Sequence, residues 1–171
     1  MPSFLVNGRF PTINNFTSQD VTSDERAAAV DFVNRHNFVF EEFDHAMMAA
    51  TFLPDAVVYH SHGTISGLAE MKRFFEEDYG FFIPGICRSA TNHVVDRDVD
   101  GGYGWEGDDL RIVTGNEMPR TDGLPQIWWV GTIIDRLRKT DDGWKIFERY
   151  LGTPFRNQAL DLPMADKALG S

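Results

Sequence analysis

The chain has 171 residues, enough for one domain whose core needs no cross-links. Hydrophobic residues at 42% and charged residues at 25% are ordinary globular values, and a formal net charge of -10 repels phosphate backbones and anionic lipid, which excludes nucleic acid and membranes as expected partners. A single cysteine, Cys87, rules out an intrachain disulfide and reads as an apolar filler.

Residues 1–22 lack any steady period and read as an extended arm; the start MPSFLVNGRFP has no long apolar run, so a cytoplasmic location is expected. Ser23 followed by Asp24 and Glu25 predicts a helix start. Within that helix Ala29, Phe32, Val33, His36 and Phe40 fall on one stripe, with Glu41 just past its end. Asp44 caps a second helix through HAMMAATF, which stops at Leu53-Pro54. A strand from Ala56 to His62 and a third helix from Gly67 to about Gly80 follow.

Beyond this point the pattern turns to β, with strands predicted at 88–98, 103–114, 126–139 and 144–152. Gly101-Gly102 and Asp141-Asp142-Gly143 are the hairpin signals between them. Residues 154–171 read as a tail or lid, leaving 23–153 as the domain. Helices followed by a meander predict an α+β fold: three N-terminal helices against a curved antiparallel sheet, with an internal pocket. The 14 Phe and 4 Trp suit an aromatic core or an aromatic-lined cavity.

Three soft motifs carry a resemblance. They are F-x-x-D-A-V-V at 52–58, a glycine before the third helix, and the closing I-D-R-L-R…D-G-W-K-I from 134 to 146. Over residues 24–153 this layout resembles the nuclear transport factor 2-like superfamily of cone-shaped α+β barrels, which includes ketosteroid isomerase, scytalone dehydratase and SnoaL-like polyketide cyclases. The resemblance implies a pocket with His60 at the isomerases' general-base position and His36 near their oxyanion tyrosine. Asp135 then matches their neutral oxyanion-hole acid. Glu41 and His93 fall where the dehydratases place a carboxylate and a catalytic histidine, and Asp108 lies near a second polar pocket position. The isomerases' base carboxylate and oxyanion tyrosine are absent, so dehydration fits better than steroid isomerisation, although Phe40 and His60 stand where the dehydratases carry pocket tyrosines.

The chemistry expected is a cofactor-free lyase or isomerase acting on a small, mostly apolar carbonyl compound, such as a polyketide or terpenoid intermediate. His93 assisted by Glu41 moves the proton, His60 holds the carbonyl or supplies a second proton, and Asp135 donates to an enolate oxygen. Phe40 and Trp129 are candidate pocket walls. Each residue also has a plainer reading: a core histidine, a solvated helix-end acid, or a strand Asp, beside Arg136 and Arg138, that pairs across the sheet. His60-Ser61-His62 invites a metal, but no glutamate follows at cupin spacing, and none is expected. There is no phosphate loop and no G-x-S-x-G elbow. Ile127, Trp128, Trp129 and Ile133 supply apolar sheet surface for a homodimer or homotrimer. The rival function is a noncatalytic ligand carrier or assembly subunit of the same fold.

Overall fold

A computed structural model describes residues 20–60, 63–77, 88–98, 109–120, 126–152 and 155–160. The first helix, α1, spans Ser23–Glu42, one residue earlier than its cap was predicted. Thr22 is the N-cap: its hydroxyl accepts from the Glu25 N–H while the Glu25 carboxylate accepts from the Thr22 N–H, a reciprocal capping box. Ala29, Val33, His36 and Phe40 are buried on the predicted stripe. Asp44 caps α2 (His45–Ala50) by accepting from the N–H groups of Ala46 and Met47.

The second half forms a sheet of β1 (Phe52–His60), β2 (Gly63–Ser66), β3 (Ser89–Arg97), β4 (Leu110–Arg120), β5 (Gln126–Thr140) and β6 (Gly143–Leu151), with α3 (Gly67–Glu77) between β2 and β3. Strand order is β2-β1-β6-β5-β4-β3, and the two-residue β7 (Phe155–Arg156) pairs with β5. The sheet departs from expectation in two ways. It is mixed, because β1 runs parallel to β6, and it is open, with β2 and β3 as its edges among the described residues. β1 also starts earlier than predicted. Pro54 is tolerated because ladder pairing with β6 lapses between Phe52 and Val57, so its missing N–H breaks no ladder bond there. Gly67 turns the chain from β2 into α3 at φ +75, and a Cβ there would stand 3.4 Å from the Pro54 carbonyl oxygen.

The helices cover one face of the sheet. Between them lie Ala29, Val33, Phe40, Met48, Phe52, Ala56, Val58, Met71, Phe75, Val95, Leu110, Ile112, Leu137 and Ile146. The opposite face carries a smaller group, Val113, Ile134 and Tyr150, with Tyr59 stacked on Tyr150 at 4.6 Å. There Arg136 pairs with Asp98 at 2.5 Å and with Glu148, and Arg138 pairs with Asp109 at 3.0 Å. No helix among the described residues is long and apolar enough to cross a membrane.

Residues 1–19 of the expected arm, His62, Cys87, the Gly101-Gly102 hairpin, Asp108, the Trp128 and Trp129 side chains and residues 161–171 of the expected tail lie outside what is described. The front of the strand predicted at 103–114 lies outside as well, and the described strand begins at Leu110.

Candidate active site on the helix-covered face

β3 is fastened along α1 in the opposite direction, and this fixes where His93 lies. At the helix start, Arg97 Nη2 donates to Glu25 Oε1 at 3.0 Å and to the Asp20 carbonyl at 2.7 Å. At the helix end, the Arg88 N–H donates to Glu41 Oε1 at 2.5 Å. His93 lies between these two ties. Strand pairing steps from Thr91↔Gly115 to Val94↔Val113, so Asn92 and His93 together oppose Thr114. Such a bulge re-aims a side chain. Asn92 takes the left-handed conformation (φ 56), which asparagine tolerates.

Alternation assigns the faces. Val95 and Ile112 belong to the helix-covered core, whereas Val113 belongs to the opposite group. His93 and Thr114 therefore share the helix-covered face. His93 Nε2 is buried without a hydrogen-bond partner among the described residues, and burial lowers the His93 pKa, favouring the neutral ring. Thr114 is 3% exposed, and its Oγ1 also has no partner among the described residues.

His36 contrasts with this. Its Nδ1 lies 3.0 Å from Thr51 Oγ1, and its Nε2 lies 2.6 Å from Arg149 Nη1. The Thr51 hydroxyl spends its proton on the Met48 carbonyl at 2.7 Å, so it accepts from His36 Nδ1–H. Nε2 then accepts from Arg149. A neutral ring satisfies every bond, in keeping with a pKa pushed well below the usual value by burial and then by the Arg149 and Arg88 charges. The ring is enclosed by Phe40 at 4.4 Å and Phe52 at 5.7 Å. His36 was expected to touch substrate; its two nitrogens are engaged by protein groups instead.

Asp135 was expected as a free neutral acid. Both of its oxygens accept from Arg149, Oδ1 from Nε at 2.6 Å and Oδ2 from Nη2 at 2.9 Å, and an ion pair leaves no carboxyl proton to donate. This is the cross-sheet pairing of its plainer reading, since Arg149 lies opposite Asp135 on β6. Glu41 was expected on His93, yet the bond the structure gives it is to the Arg88 N–H. Phe40 is buried, edge-on to Phe75 at 5.4 Å, with the Arg88 guanidinium 5.6 Å above its ring. His60, the last residue of β1, is half-buried, with its ring 5.3 Å from Phe74 of α3. Trp129 lies on β5, where its backbone pairs with Met118 and Arg156. No three His, Cys, Asp or Glu residues among those described come close enough to hold a metal ion.

Sequence reasoning missed Arg149, Thr51 and Thr114. Thr114 carried a usable signal, since it is a polar residue on the core-facing parity of a strand between Ile112 and the run beyond.

A family model described as the SnoaL-like domain matches residues 21–150. Among curated proteins, none matches the sequence. Similar solved structures include an NTF2-like protein with a cystatin-like fold from Novosphingobium aromaticivorans (16% identity, TM-score 0.62, covering 86% of this chain and 90% of that one). A candidate scytalone dehydratase from the same organism has 18% identity and a TM-score of 0.62, covering 79% and 89%. ActVI-ORFA from Streptomyces coelicolor has 17% identity and a TM-score of 0.59, covering 73% and 94%. At these identities the likeness shows a shared fold.

Proposed function

Because the chain belongs to the SnoaL-like domain family, we propose that it performs acid–base chemistry on a small, mostly apolar carbonyl compound, by dehydration, double-bond shift or cyclisation. One observation carries this reading: a histidine on the helix-covered face whose Nε2 is buried without a partner among the described residues, with burial lowering its pKa and so favouring the neutral ring. A neutral imidazole with an available nitrogen is the form a general base requires near neutral pH.

In this reading His93 Nε2 takes a proton from the carbon next to the carbonyl. The C–H electron pair becomes the enolate, and the proton returns to carbon for isomerisation or to a departing hydroxyl for dehydration. His60 is the second acid–base or carbonyl-holding group, and Phe40 gives the apolar surround. Trp129 and Asp108 remain proposed pocket residues. Asp135 and His36 act from behind as a buried frame, and Glu41 acts through the Arg88 backbone at the entry to β3. Glu41 is thus a positioning residue.

The rival reading, a noncatalytic ligand carrier, is favoured by the lack of a carboxylate bonded to His93 among the described residues. Deuterium exchange at the α-carbon of 2-tetralone, followed by NMR, separates the two. Wild-type protein should accelerate exchange over buffer, and His93→Asn should lower the enzymatic rate by about 10²–10⁴-fold. Bound tetralone with no acceleration in the wild type supports the carrier. We also propose a cytoplasmic homodimer or homotrimer that covers the exposed Ile127, Val130 and Phe155 along β5 and β7; sedimentation equilibrium reads the oligomer directly.

A further inference from the structure

We infer that Thr114 and His93 form a two-point polar site for a neutral oxygen group, a hydroxyl or enol, on an otherwise apolar ligand. This rests on the helix-covered face being the binding face, as proposed above. Three observations converge. The bulge sets Thr114 opposite Asn92 and His93 on one face of β3 and β4. Thr114 is 3% exposed, with Oγ1 unpartnered among the described residues, although buried hydroxyls are normally bonded. His93 Nε2 is buried and unpartnered in the same way. Two adjacent strands thus present two unsatisfied polar atoms at neighbouring positions in an apolar wall.

The chemistry of those atoms selects the ligand group. A threonine hydroxyl both donates and accepts, and an imidazole nitrogen does either according to its tautomer. A ligand hydroxyl can donate to His93 Nε2 while accepting from Thr114 Oγ1–H. An anion fits poorly: Arg149 of the frame already directs three of its N–H groups at Asp135 and His36, and Arg26 donates to the Val95 carbonyl. Burying a charge without a counter-charge is costly, whereas a neutral hydroxyl meets both atoms without one. Around them Val95, Ile112 and Phe40 are apolar, so the remainder of the ligand is hydrocarbon or aromatic.

The test compares 2-naphthol with 2-methylnaphthalene, which has a methyl in place of the hydroxyl, binding to wild type, Thr114→Val and Thr114→Ser. Affinities come from calorimetry and fluorescence, with melting temperatures taken in parallel without ligand. Wild type should prefer the naphthol by about tenfold or more. Thr114→Val should abolish that preference, leave methylnaphthalene affinity unchanged and melt no lower than wild type; Thr114→Ser should keep the preference. An unchanged preference in Thr114→Val overturns the inference. So does a lower melting temperature in that variant, because it would mean the hydroxyl bonds within the protein, and so does a wild type with no preference. None of these readouts uses turnover. A preserved naphthol preference without α-proton exchange would sink the catalytic reading and leave the two-point site standing.

Discussion

His36 and His93 both reach the face that the helices cover, one from α1 and the other from β3, and burial drives both rings toward the neutral form. They differ in what their nitrogens meet. His36 is held by Thr51 and Arg149, and Arg149 is clamped in turn by Asp135, so the ring is one member of a closed chain of bonds. His93 presents a buried nitrogen to nothing among the described residues, beside a threonine in the same condition. A buried polar group that is fully bonded fixes a structure. One that is left open stores a cost that a ligand can recover. The two histidines thus divide the face into a frame and a site.

The sharpest way to break that division is to open the frame. Asp135→Ala leaves the Arg149 guanidinium buried and uncompensated beside a neutral histidine. Removing one partner of a buried ion pair costs about 3–5 kcal/mol. Urea unfolding at neutral pH should show a loss of that size. A loss near zero would mean that Asp135 is free to act at the site after all. His93→Asn should leave the urea midpoint almost unmoved, since it removes no hydrogen bond seen among the described residues.

Acid should separate the same two residues by sign and size. A histidine whose folded pKa is lowered binds fewer protons folded than unfolded. Its contribution is complete above the unfolded value near 6.5 and declines as pH falls below it, toward the lowered folded value. Protonating His36 would set a cation against Arg149 Nη1 at 2.6 Å. The stability of the wild type should therefore fall between about pH 6.5 and 5, with a slope of up to about 1.4 kcal/mol per pH unit from His36. His36→Gln should flatten this slope whatever its effect on absolute stability. His93→Asn should flatten it less, because that ring is half-exposed. Equal flattening by the two variants would erase the distinction between frame and site.

The frame and the site were legible in the sequence to different degrees, for a physical reason. The α1 stripe, the Asp44 cap and the Asp141-Asp142-Gly143 turn are local: each depends on residues three or four apart, and each is present. The Thr22–Glu25 capping box was equally local and was read one residue late. The parallel pairing of β1 with β6 joins strands about 90 residues apart, and no local pattern announces it. Arg149 shows the harder problem. Counting back from the Thr140↔Gly143 pair puts Glu148 opposite Asp135, but pairing skips between Arg136↔Glu148 and Leu137↔Ile146. That single extra residue, Phe147, brings Arg149 across from Asp135 and turns an expected neutral acid into half of an ion pair. His93 and Thr114 meet across a second bulge. The residues were readable; their partners depended on register slips that carry no sequence signature.

Glu41 gives the smallest and most specific test, because it acts on the site at one remove. Its carboxylate holds the Arg88 N–H at the end of α1, while Glu25 holds Arg97 and Arg26 donates to the Val95 carbonyl at the helix start, and the strand between these ties carries His93. Losing one charge-assisted bond at a half-buried position should cost about 1–2 kcal/mol in Glu41→Ala. Glu41→Gln keeps a carbonyl oxygen that can accept from the same N–H, and it should recover most of that loss. If Glu41 acts only through position, α-proton exchange should fall several-fold in the alanine variant, with the inflection of its pH profile where wild type has it. A carboxylate bonded to His93 would raise that ring's proton affinity, so its removal would move the inflection to lower pH. A shift of that kind in both variants would return Glu41 to the catalytic pair expected from sequence, and an unmoved inflection with glutamine rescue keeps it at the seam between helix and strand.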